Sequence, residues 1–143
     1  MSEKTECKFC RIAAHDLASA VVFEDKISLA FLDHRPLFPG HLLLIPKGHV
    51  ETLDELPRDQ LAGFFGNAQR LASAVEHGMQ AQGSFVAINN RVSQSVPHLH
   101  VHIVPRSKGD GLRGFFWPRG KYRDEQQMQD AQGAIVMALR ETK

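Results

Sequence analysis

Three histidines stand at alternate positions in the run Pro97-His98-Leu99-His100-Val101-His102-Ile103-Val104-Pro105. In an extended strand, a period of two sends all three imidazoles to one face and Leu99, Val101 and Ile103 to the other. With a rise of about 3.3 Å per residue, alternate rings start roughly 7 Å apart, near enough to converge on one phosphate or one metal ion. One half-buried strand histidine is ordinary. Three on one face each need a hydrogen-bond partner, which makes filler a poor explanation. Two chemistries suit the pattern: a three-histidine site for a catalytic metal, or a nucleophilic imidazole with supporting groups. Just ahead, Asn89, Gln94 and Ser95 supply amides and a hydroxyl, donors of the kind that hold an oxyanion.

A second chemical group lies near the start, where Cys7 and Cys10 form C-x-x-C and are the chain's only cysteines. Two thiols so close in sequence cannot cross-link distant parts of a secreted scaffold, so a reducing, cytoplasmic setting is expected. The pair reads as a zinc half-site, a redox pair or two unrelated thiols. No thioredoxin-like βαβ pattern follows, which weakens the redox reading. A zinc half-site needs two more ligands from elsewhere.

The elements that must position these groups follow from hydrophobic spacing. Residues 20–23, 28–32 and 41–45 are short strand-like runs separated by the turn signals Glu24-Asp25-Lys26 and Pro36 to Gly40, and such short connections predict antiparallel neighbours. Leu61, Phe64, Phe65, Ala68, Leu71, Ala72 and Val75 recur at helical spacing behind Pro57. They predict a long core-facing helix that opens at Pro57 and runs toward Gly83. Residues 85–88 and 99–104 read as two more strands, and Asp124 to Arg140 as a final helix carrying Met128, Ile135 and Leu139. The order predicts an α+β fold: an antiparallel sheet of about five strands with one long helix and a C-terminal helix. Between the last strand and the last helix, Ser107 to Tyr122 holds four glycines and Phe115-Phe116-Trp117-Pro118. A loop this long is usually functional or an interface.

The chain has 143 residues, 43% hydrophobic and 23% charged, which suits one domain over 1–143. A formal net charge of +1 gives no basic face for duplex nucleic acid. No apolar run is long enough to span a bilayer, and Met1 to Lys8 is too polar for a signal peptide, so no membrane partner is expected.

Gln94 to Val104 matches the signature Q-[ST]-V-x-H-φ-H-φ-H-φ-φ, with φ apolar. With Cys7-Lys8-Phe9-Cys10, Phe31-Leu32-Asp33, Pro39 to Lys47 and His49, this run resembles the histidine-triad (HIT) nucleotide hydrolases and transferases. One departure is that family members usually carry a longer, glycine-containing loop where this chain has only Asn90, Arg91, Val92 and Ser93. The resemblance implies that His100 attacks the α-phosphorus of a purine nucleotide conjugate, a phosphoramidate or a dinucleoside polyphosphate, and carries the nucleotidyl group until water releases it. It implies that the His98 carbonyl orients His100, that His102, Gln94, Ser95 and His41 are donors to the phosphoryl oxygens, and that Asp33 meets the ribose. Phe31, Leu43 and Asn89 are then further nucleotide-binding positions. In zinc-containing bacterial members, the positions of His49 and His98 complete a structural site with Cys7 and Cys10. The resemblance also implies a homodimer and no organic cofactor. Two other functions stay open: a hydrolase with a catalytic three-histidine zinc, inactivated by chelators, and a nucleotide-binding scaffold without turnover. Within Arg113 to Arg123 the aromatic run has three readings: closure over a neighbouring site, a dimer contact, or a local cap.

Overall fold

A computed structural model describes residues 6–113 and 118–141, so Phe115, Phe116 and Trp117 lie outside the described residues. The chain divides into two compact units, Met1–Asp110 and Gly111–Lys143.

The first unit runs α1 (Lys8–Ala13), β1 (Val21–Glu24), β2 (Ser28–Leu32), β3 (Leu42–Pro46), a short 3-10 turn (Leu53–Glu55), α2 (Arg58–Gly78), β4 (Gly83–Ile88) and β5 (Val101–Arg106). The five strands form one sheet in the order β1-β2-β3-β5-β4. Every neighbouring pair is antiparallel. A tight turn joins β1 to β2, and residues 33–41 join β2 to β3. Asp25 accepts from the backbone N–H groups of Ile27 and Ser28 and from the Asn67 amide, tying the β1–β2 turn to α2. Gly40, at φ +95°, turns the chain into β3 in a conformation that side chains rarely adopt. A Cβ there would also lie 2.6 Å from Met79 Cγ.

Both faces of the central strands are covered, which is why β2 and β3 are continuous apolar runs rather than alternating ones. Ala30, Leu42, Leu44, Leu99, Val101 and Ile103 pack with Phe64, Ala68, Leu71 and Val75 of α2. Leu29, Phe31, Leu43 and Ile45 pack on the opposite face with Phe9 and Ile12 of α1. Leu99, Val101 and Ile103 therefore lie on the long-helix side. His102 pairs with Leu43 across the sheet and faces the α1 side.

Several boundaries differ from expectation. The long helix begins at Arg58, with Pro57 in the capping position, and it ends at Gly78. Gln80 adopts φ +51° and the N–H groups of Met79, Gln80 and Ala81 bond back to Val75, His77 and Glu76, so Gly83 is free to open β4. The last strand begins at Val101, because Leu99 N–H bonds to the Val50 carbonyl at 2.7 Å and His98 N–H to Val96 at 2.8 Å. His41 precedes β3, its carbonyl accepting from Asp33 N–H at 2.9 Å.

In the second unit α3 (Glu125–Glu141) has no buried residue, and Met128, Ile135 and Leu139 are all exposed. Asp124 accepts from Gln127 N–H at its start. Among the described residues, no helix is long and apolar enough to cross a membrane.

Candidate active site

His98, on the bend before β5, is fully buried and its ring turns toward the thiols of α1. Its Nε2 lies 2.8 Å from the Pro46 carbonyl. A carbonyl can only accept, so Nε2 carries the proton and Nδ1 holds the lone pair. That Nδ1 is 3.4 Å from Cys7 Sγ, 3.5 Å from Cys10 Sγ and 3.3 Å from His49 Nδ1. Cys10 Sγ is 3.2 Å from the same His49 nitrogen. All four donor atoms lie within 4.8 Å of one another. Bonds of about 2.0 Å to nitrogen and 2.3 Å to sulfur give a tetrahedron with edges of roughly 3.3–3.8 Å, so the set fits a closed two-thiolate, two-imidazole metal centre.

His100, also buried, places Nδ1 2.7 Å from the His98 carbonyl. Nδ1 therefore donates and Nε2 holds the lone pair. Burial is the main cause lowering its pKa, opposed by the His98 carbonyl and Asp33.

The third ring belongs to a relay. Leu37 N–H donates to His41 Nδ1 at 3.0 Å, so His41 carries its proton on Nε2, 2.9 Å from His102 Nδ1. His102 Nδ1 accepts that proton's hydrogen bond and its Nε2 becomes a donor. Asp33 is 3.8 Å from His41 Nε2. Asp33, His41 and His102 are also close enough to suggest a cation. The proton on His41 Nε2 argues against one, because that nitrogen has no lone pair to offer. Among the described residues no metal-capable group unites His98, His100 and His102. The open three-histidine metal site is thus not formed: the first ring turns to the thiols while the other two stay together, 5.0 Å apart by centroid.

His100 and His102 open onto a cleft of about 810 Å³ shared with Phe31, Asp33, Leu43 and Ser95. Its other wall is α1, through Lys8, Phe9 and Ile12. Sequence reasoning assigned C-x-x-C to metal binding and missed this wall; the i, i+3 pair Phe9 and Ile12 was the available signal. His41 stands behind His102, outside the cleft lining. Gln94 and Asn89 do not line the cleft either. The Gln94 amide donates to the Glu51 carbonyl at 2.6 Å and its oxygen accepts Arg91 N–H at 2.8 Å. Asn90 in turn accepts Leu53 N–H. The short loop is folded onto residues 51–53, with Arg91 and Ser93 at positive φ, a region that favours glycine.

Residues 15–109 match the family model described as HIT domain. This chain belongs to the HIT family. Protein hit of Bacillus subtilis is 40% identical over 114 residues, covering 78% of each chain. The asymmetrical bis(5'-nucleosyl)-tetraphosphatase of Schizosaccharomyces pombe is 36% identical over 96 residues, 66% of this chain and 53% of that one. Among solved structures, a HIT family member from Bacillus subtilis aligns with a TM-score of 0.81 at 34% identity, over 92% of this chain and 95% of that one. A Zn-bound histidine triad family protein from Mycobacterium smegmatis aligns with a TM-score of 0.72 at 35% identity, over 94% and 99%.

The buried relay of this HIT domain has a pH signature. Burial, then the neighbouring His100 and His41, push His102 from its ordinary value of 6.5 to about 4, against Asp33. His41 is lowered too, chiefly by burial. A lowered imidazole pKa means the unfolded chain binds the proton first. Stability is unaffected by this group above pH 6.5 and falls by up to roughly 1.4 kcal/mol per pH unit as pH drops toward about 4. We expect a lower urea midpoint at pH 5 than at pH 7. Equal midpoints would mean that the folded relay accepts the proton as readily as the unfolded chain.

Proposed function

We propose that this HIT protein is a nucleotide hydrolase and nucleotidyl transferase that cleaves purine nucleotide conjugates at the α-phosphate through a nucleotidyl-His100 intermediate. The observation that carries the reading is the His98 carbonyl on His100 Nδ1, which leaves the Nε2 lone pair on a ring lining the cleft. Nε2 forms the N–P bond as the bond to the leaving group breaks. The leaving group departs with that electron pair and takes a proton from solvent. Positive charge on the imidazolium is stabilised through Nδ1–H on the carbonyl, and water then displaces His100 from phosphorus.

The donors are Ser95 and the Nε2–H of His102, held in that tautomer by His41. Asp33 meets the ribose hydroxyls, while Phe31 and Leu43 wall the base, with adenine preferred by resemblance. Gln94 acts at one remove, by clamping the loop that leads into Ser95. The phosphoramidate and dinucleoside polyphosphate classes are both retained as substrates, the second supported by the printed activity of the fission-yeast relative.

Cys7, Cys10, His49 and His98 hold a structural zinc in this reading, supported by their spacing and by the Zn-bound mycobacterial relative. Four protein donors leave no open position, so a bound zinc supplies rigidity rather than an activated water. A single HIT domain acting in the cytoplasm as a homodimer completes the proposal. β4 ends the sheet with Val86 exposed, which suits pairing with a second copy.

The test is incubation with an adenosine phosphoramidate and, separately, with a diadenosine polyphosphate, followed by acid-free quench. Mononucleotide release and a nucleotidyl mass on His100 are expected with at least one of them. Turnover without an adduct, abolished by chelation while the protein stays folded, would instead mean metal-activated water.

A further inference from the structure

We propose that Phe9 is the positioning residue for His100, and that the single turn Cys7–Cys10 both closes the metal-binding group and aligns the nucleophile. The inference rests on the nucleotidyl-transfer reading above and assigns a role to Phe9, one of the two residues of the C-x-x-C turn that ligation does not use. Phe9 is buried between the two cysteines whose sulfurs reach His98 and His49. Its ring stands edge-on to His100, with centroids 5.1 Å apart and planes at 86°. It also meets His98 at 6.0 Å and Phe31 of β2 at 5.5 Å.

The physical need is specific. Rotation of an imidazole about its Cβ–Cγ bond is broad and roughly two-fold, so staggering does not fix the ring. The bond from Nδ1 to the His98 carbonyl anchors one atom and leaves the ring able to tilt about it. In-line attack needs Nε2 held on the phosphorus, and an error of about 1 Å can cost on the order of 100-fold in rate. Phe9, at 5.1 Å and 86°, and His102, at 5.0 Å and 66°, both stand against the His100 ring and restrict its tilt. Phe9 is itself rigidly seated. A six-residue helix has little stability of its own; α1 is held by the packing of Phe9 and Ile12 and by its two thiols on His98 and His49. The His98 ring is thus gripped by the cysteines while its carbonyl holds His100, and Phe9 holds His100 from the same turn.

Phe9 also lines the cleft, so the experiment must separate alignment from binding. Single-turnover formation of nucleotidyl-His100 from an adenosine phosphoramidate is followed at saturating substrate, beside AMP affinity and zinc content, in wild type, Phe9→Ala and Phe9→Leu. We expect the saturating rate to fall about 100-fold in Phe9→Ala and about tenfold in Phe9→Leu, a loss that raising the substrate concentration does not restore whatever the change in AMP affinity, with metal content as in wild type. Phe9→Leu keeps most of the buried volume and carries the test if Phe9→Ala does not fold. A folded variant that keeps the wild-type saturating rate, or loses only affinity or only metal, overturns the proposal and leaves Phe9 a wall or a packing residue. The two readings fail differently: no adduct in wild type removes nucleotidyl transfer and this role with it, whereas normal adduct formation in wild type and variants alike removes only the role of Phe9.

Discussion

His100→Gly yields a folded protein whose release of mononucleotide from an adenosine phosphoramidate is at least about 1,000-fold below wild type, the scale on which loss of a covalent nucleophile is usually felt. The size of the effect follows from the tautomers of the other two rings. His98 cannot substitute, because its lone pair at Nδ1 faces Cys7, Cys10 and His49, and its other nitrogen is bonded to Pro46. His102 cannot substitute, because its Nδ1 accepts from His41 and its Nε2 carries the proton. On the proposed mechanism, three imidazoles therefore provide one nucleophile. The measurement is steady-state product release beside circular dichroism and intact mass. A variant that keeps a tenth of the activity, or still acquires the nucleotidyl mass, eliminates His100 as the attacking group.

The second large effect concerns the thiols. Protein purified without chelator should carry one zinc per chain, and Cys10→Ser should carry less than about a tenth of that, with a melting temperature lower by roughly 10 °C or more. Apparent zinc-binding energies of about 10–16 kcal/mol in small zinc-folded peptides set the scale. About 3 kcal/mol of that, realised as stability, corresponds to roughly 10 °C in a domain of this size. The loss is steep because His49, His98 and both sulfurs converge on one point that hydrogen bonds alone satisfy less well. Elemental analysis and a thermal melt check both numbers. Wild-type protein with far less than one zinc would remove the metal, and a chelated protein that keeps its melting point but loses turnover would move the metal into catalysis.

Much of the framework was legible in the residues. Alternation through 98–104 placed Leu99, Val101 and Ile103 on the long helix, because side-chain period is a local property of extended backbone. The spacing of Phe64, Ala68, Leu71 and Val75 identified the face of α2 that is buried for the same kind of reason. Prediction faltered where distant backbone intervened. The Val50 carbonyl captures Leu99 N–H and delays β5 to Val101, which swings His98 away from the common row. Glu51 takes the Gln94 amide, a partner 43 positions away that no local pattern announces. The contacts of Phe9 with Phe31, His98 and His100 likewise arise only when α1 packs on the sheet.

The order of the five strands and the two longer helices, the buried face of α2 and the presence of three imidazoles and a thiol pair were settled by the sequence alone, because each depends on neighbours a few positions apart. Which nitrogen of each ring keeps its lone pair was settled only by the tertiary structure. A histidine is nucleophile, ligand or donor according to what its other nitrogen meets. Pro46 for His98, and Leu37 acting through His41 for His102, reach those rings only when β3 and the loop before it are laid against the segment that leads into β5.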